Sequence, residues 1–141
     1  MGKITFTSPA TASTAVGGAA VKVNYFEHVR IVAVLEGATG GTLDVYLQST
    51  WDNGATWWDI VHFPQLADGA AQTTRTITLS RASTNTTLTA IGSGTSPALA
   101  AGAYLNGDFG EAIRAVAVAG SGTSEGKAQT IYILGDPSRA R

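Results

Sequence analysis

Cysteine is absent from this 141-residue chain. Its absence removes disulfides, thiolate metal sites and thiol nucleophiles together. Charge is scarce as well: 13% of residues are Asp, Glu, Lys or Arg, and the formal net charge is −1. A basic surface able to displace counterions from a phosphate backbone therefore has no source, and no nucleic-acid partner is expected. No apolar run approaches the ~20 residues that span a bilayer as a helix, so no membrane partner is expected either. Met1-Gly2-Lys3 leads into ITFTSPATASTAV, where Thr and Ser break up the apolar stretch that a secretory leader needs. Lys and Glu, which long solvated helices use heavily, are few beside Gly, Ala, Thr and Ser. That balance favours an all-β protein of one domain. So little surface charge also invites self-association, which suits a protein held in an assembly.

What is there begins with Thr42–Phe63, TLDVYLQSTWDNGATWWDIVHF. Leu43, Val45 and Leu47 alternate with Asp44, Tyr46 and Gln48, the period of a half-buried strand. Asp52-Asn53-Gly54 supplies residues that tolerate the positive φ of a tight turn. Trp57, Trp58, Ile60, Val61 and Phe63 form the return arm. The chain's three tryptophans, Trp51, Trp57 and Trp58, all fall here and are the largest burial on offer. Trp51, Asp52, Gly54, Trp57 and Asp59 are thus read as the structural hairpin. Neighbours in a strand face opposite sides, so Trp57 is expected inside and Trp58 at a surface or subunit contact.

Residues 1–24 read as an extended arm and 136–141 as a polar tail around a sandwich domain at 25–135. Tyr25–Leu35 is apolar on both faces toward its end, as a central strand is. Thr73–Leu79, Ala112–Ala119 and Lys127–Leu134 alternate as strands, with a short edge strand expected near Thr86–Thr89. Ile91–Ala103 is a long Gly/Ser/Ala loop. The count is about seven or eight strands with turn signals between them, an antiparallel β-sandwich or barrel.

No catalytic set emerges. His28 and His62 sit on different strands, and His62 and Asp59, three apart, are expected on opposite faces of a regular strand. Asp52 and Asp59 offer too few oxygens at short spacing for calcium. Asp52 reads as a turn residue bonding nearby N–H groups. No metal ligand set, cofactor motif or nucleophile–base pair is expected. Asn85-Thr86-Thr87 matches a glycosylation acceptor but has no secretory route. The aromatic cluster Tyr46, Trp51, Trp57, Trp58 and Phe63 fits core packing or a sugar platform, and Trp58→Ala is expected to abolish any sugar binding.

Two segments carry a family resemblance. TLDVYLQSTWDNGATWWDIVHFPQL resembles a pattern of small virion proteins of tailed bacteriophages, through Val45, Gln48, Ser49, Asp52, Gly54, Thr56, Trp57, Asp59 and Ile60. NGDFGEAIRAVAVAG resembles a turn and strand of the same proteins, through Asn106, Gly107, Gly110, Ile113 and Arg114. Ala115 departs from it, standing where a branched apolar residue is usual. Ser49–Trp57 also comes close to the box of sialidase-like repeats, with Asp one position late. A single copy without propeller repeats or an arginine triad argues against that enzyme.

The phage resemblance implies a jelly-roll-like sandwich on a virion, assembled in the host cytoplasm. The role it implies is a head decoration (cement) protein, a homotrimer bracing the major capsid protein from outside. A tail or baseplate component and a carbohydrate-binding module are the alternatives. Under the decoration role, Ile4 and Phe6 of the arm, Trp58, and Ser96 and Pro97 of the long loop are the expected subunit or capsid contacts.

Overall fold

Eight strands follow one another in the structure, a computed structural model that describes residues 2–83, 99–107 and 109–137. They are β1 (Gly2–Thr7), β2 (Thr14–Lys22), β3 (Phe26–Leu35), β4 (Leu43–Thr50), β5 (Trp58–His62), β6 (Thr73–Ser80), β7 (Ala112–Ala119) and β8 (Ala128–Pro137). Helix is absent among the described residues. The antiparallel pairs nest: β4 with β5, β3 with β6, β2 with β7, β1 with β8. A ribbon of nested pairs, rolled up, sends alternate pairs to opposite sheets. The result is two four-stranded sheets, β1-β8-β3-β6 and β2-β7-β4-β5, in jelly-roll order. The chain is the expected all-β sandwich, and the β4–β5 hairpin is the closed tip of the roll.

Period-2 alternation builds the core. Val29, Ile31, Ala33 and Leu35 of β3 and Ile131 and Ile133 of β8 face Leu43, Val45 and Leu47 of β4 and Ile113, Ala115 and Ala117 of β7. Phe109, fully buried in the turn before β7, is the largest side chain sealed from solvent among the described residues. None of the three indoles belongs to this core. The centre is aliphatic, and the tryptophans lie around the hairpin tip instead.

The hairpin has one irregularity. Tyr46 pairs with His62 and Leu47 with Val61, but Gln48 pairs with Asp59, leaving Ile60 as an extra residue. This β-bulge turns both Ile60 and Val61 into the core. It also reverses the phase of the strand, with consequences for the site.

The segment 1–24, expected as an arm outside the sandwich, contributes β1 and β2 to it. Ile4, an expected capsid contact, pairs with Ile131 and is 1% exposed. Phe6 is half-buried, and its ring lies so close over Gly17 that a Cβ there would come within 2.4 Å. That contact joins β1 and β2, the edges of the two sheets on one side. At the other terminus β8 runs on to Pro137, so the boundary expected at 135 falls inside a strand. Ser96, Pro97, Asn85 and the strand expected at Thr86–Thr89 lie outside the described residues.

On the opposite side, β5 is bordered by the end of the long loop. Gly102 N donates to His62 O, His62 N to Ala103 O and Leu105 N to Ile60 O. The edge strand β6 has only β3 along it among the described residues.

Candidate functional site

β4 is buried on both faces. Leu43, Val45 and Leu47 face the aliphatic core, while Tyr46 and Gln48 lie on the outer face of the β2-β7-β4-β5 sheet and are still buried. Register places Val116 and Arg114 of β7 beside Tyr46 and Gln48 on one side, and His62 and Asp59 of β5 on the other. The strands thus assemble a polar layer that no single segment of sequence displays.

At one end, His62 stacks on Tyr46 with ring centroids 3.8 Å apart. Its Nδ1 lies 2.7 Å from Leu99 O and its Nε2 2.9 Å from Asp44 Oδ1. Both partners are acceptors, so both contacts are hydrogen bonds when both ring nitrogens carry protons. Asp44 also accepts from Gln65 Nε2 at 2.9 Å. Burial, and then the charges of Asp44 and Asp59, push the Tyr46 phenol above its ordinary pKa.

At the other end the bonds run as a chain. Asp59 accepts from Leu99 N at 3.1 Å and from Gln48 Nε2 at 2.7 Å. Gln48 Oε1 accepts from Arg114 Nε and Nη2 at 3.0 and 2.8 Å. The Arg114 guanidinium lies 4.6 Å from the centre of the Trp57 ring, a cation–π contact. Burial lowers the Arg114 pKa from its ordinary value, though a guanidinium stays charged throughout the working range. Trp57 Nε1 donates to Gly54 O at 3.0 Å. Among the described residues no buried side-chain nitrogen or oxygen lacks a partner. Each carboxylate in the layer accepts a hydrogen bond and each His62 ring nitrogen lies against an acceptor, so the layer supplies rigidity.

The turn is built as its residues require. Asn53 and Gly54 take positive φ, 56° and 90°. Asp52 Oδ1 accepts from Thr56 N at 2.8 Å and Thr50 Oγ1 at 2.9 Å, while Gly54 N donates to Thr50 Oγ1 at 2.9 Å. The Thr56 N–H holds the Asp52 carboxyl below the usual carboxylate range. Glu111, from the strand side, accepts from Asn53 N at 3.1 Å and fixes the turn against β7.

Two expectations need correction here. Trp57, expected inside, is half-buried on the outer face under Arg114. Trp58 does sit partly exposed, edge-on to Trp51 at 5.2 Å, and Trp51 is 47% exposed. Asp59 and His62 were expected on opposite faces; the bulge puts both on the outer face, where both bind the backbone of Leu99. Gln48, Arg114, Tyr46 and Asp44 were not read as members of one layer. The available signal was uncharged Tyr46 and Gln48 beside Asp44 at the outward positions of β4.

Two grooves adjoin these elements. One, of about 470 Å³, lies beside Trp57 along the row Thr50, Ala112 and Lys22. The other, of about 210 Å³, lies between β5 and β6 and includes Phe63, Pro64, Ile77, Arg75 and Tyr104. Among the described residues no group of three or more His, Asp or Glu gathers to hold a metal. Comparison with family models, with curated proteins and with solved structures found no match to this chain.

Proposed function

We propose that this protein is a structural component of a tailed-bacteriophage virion, bound as a trimer to the outside of the capsid and bracing the major capsid protein. The observation that carries the reading is strand β6. Sheet edges are normally blunted by charge, proline, bulges or cover, because a free edge templates pairing with another chain. β6 has eight residues, TTRTITLS, with one charge and no proline. Its pairing with β3 runs unbroken from Thr73 to Ser80. Thr74, Arg75, Thr76 and Thr78 are exposed.

The direction of its backbone groups follows from one bond. Ser80 N donates to Asn106 Oδ1 at 2.8 Å, away from β3. Alternate residues of an antiparallel strand share a direction, so Thr78, Thr76 and Thr74 also present N–H and C=O outward. The apolar groove at Phe63, Pro64, Ile77 and Tyr104 runs beside that edge. An added strand finds backbone partners on one side and side-chain space on the other, which is recognition by β-augmentation. Among the described residues no strand covers this edge; a free protein carrying such an edge risks aggregation, whereas a protein seated in a shell has the edge occupied.

The sequence resemblance supplies the partner, and the jelly-roll order is one that viral capsid domains use, an analogy of fold alone. The stabilising mechanism is mass action. A component that binds only the assembled shell adds about 2.7 kcal/mol per site at a free concentration of one hundred times its Kd.

Light scattering on the purified protein should give a trimer, and adding it to undecorated capsids should raise their melting temperature. Thr76→Lys should weaken capsid binding while leaving the isolated protein's melting temperature unchanged. A strict monomer with no effect on capsid melting would sink the reading.

A further inference from the structure

We propose that the groove beside Trp57 is a binding site for a neutral pyranose sugar. The inference stands apart from the virion reading and needs no capsid. Its volume, about 470 Å³, lies within the range of about 300–1,000 Å³ typical of small-molecule sites. Trp57, Lys22, Asn24, Thr50, Asn53 and Glu111 are among the residues that line it.

The chemistry of that set is specific. A pyranose has an apolar C–H face and a rim of hydroxyls that donate and accept. It calls for one flat aromatic surface ringed by mixed donors and acceptors. Trp57 supplies the surface: it lines the groove, and Arg114, which lies over one face of the indole, is not among the groove's lining residues. Lys22 supplies donors, Glu111 acceptors, and the carboxamides of Asn24 and Asn53 both. One ammonium and one carboxylate leave the groove without net charge, which disfavours selection of a strongly anionic or cationic ligand. Lys22 and Asn24 are exposed and their side chains make no hydrogen bond among the described residues, so they are free to turn to a ligand.

The platform is also held still. The indole is pinned at its edge by Gly54 O and on its face by Arg114, which Gln48 holds by two bonds and Asp59 steadies through Gln48. Ordering a loose aromatic side chain would cost affinity, and a ring fixed in advance avoids that loss. The buried polar layer thereby acquires a role: it positions Trp57. The indole concerned is Trp57, not Trp58 as the sequence alone led one to expect.

The test is a titration of the full chain with methyl glucoside, galactoside, mannoside and N-acetylglucosaminide, followed by amide NMR and indole fluorescence. At least one sugar should give saturable shifts at Asn53, Gly54, Ala112 and the Trp57 indole N–H, with a Kd of order millimolar. Asn24→Ala and Lys22→Ala, at exposed positions, should each weaken binding by roughly three- to tenfold without changing the melting temperature. Trp57→Phe should weaken it further, and Trp51→Ala, more exposed but outside the groove, should leave it unchanged. Absence of any saturable shift across the panel overturns the proposal. So does binding that survives Asn24→Ala and Trp57→Phe at full strength, or binding lost in Trp51→Ala with Trp57→Phe unaffected.

Discussion

The two faces of the β2-β7-β4-β5 sheet are both buried at β4, but by different physics. The inner face is dry and aliphatic: Leu43, Val45, Leu47, Ile113 and Ala115 pack against β3 and β8. Its stability comes from area removed from water, at roughly 25 cal/mol per Å². The outer face buries Gln48, Asp59 and His62, whose removal from water is offset only because every partner is present. The inner face is tolerant in kind, since any apolar residue of similar volume serves. The outer face is intolerant in detail, since losing one member strands the next. A sheet that uses both gains a stable centre and a stiff surface from the same strands.

The largest expected effect is on the inner face. Ile113→Ala removes buried apolar volume at 0% exposure and should cost about 3 kcal/mol, read from urea denaturation. A loss well under 1 kcal/mol would mean that the core recloses around the cavity. Next door on the outer face, Gln48→Ala takes a donor from Asp59 and the acceptor of Arg114, and should cost about 2 kcal/mol. The double variant Gln48→Ala, Asp59→Ala should fall short of the sum by about 0.5–3 kcal/mol. Strict additivity would dissolve the distinction between the faces, because it would make the outer layer a set of independent contacts.

The smallest expected effect lies at the hairpin tip. The Asp52 carboxyl, chiefly through the Thr56 N–H, has a folded pKa below its ordinary 3.8. A lowered carboxylate pKa contributes stability above the unfolded pKa, and that contribution fades as pH falls through the folded value. The wild type should therefore lose melting temperature more steeply than Asp52→Asn below about pH 4. Equal slopes would remove Asp52 from the turn's support. Its full exposure makes the effect minor.

How much of this was legible differs by residue. Asp52-Asn53-Gly54 was readable because turn chemistry is local: positive φ and short-range Asx bonds depend on neighbours in sequence. The inward positions of β3, β4 and β8 were readable because alternation has a fixed period. Trp57 was not, since its face depends on Arg114, 57 positions further along the chain. The Asp59 and His62 relation failed for a related reason. A single bulged residue shifts strand phase, and nothing local to Asp59-Ile60-Val61-His62 marks the bulge. The segment 1–24 looked like a free arm because small and polar residues in strands carry a weak periodic signal. Its strands are defined by partners, β7 and β8, at least 90 residues away.

By itself, then, the sequence determined the class, the hairpin and the apolar faces, since composition, turn chemistry and period-2 patterning act over a few residues. Only the tertiary structure decided the roll of nested pairs, the bulge, and the chain from Asp59 through Gln48 and Arg114 to Trp57. Those features depend on hydrogen-bonding partners that distant strands bring together, and a partner's position is a property of the register, not of any one segment.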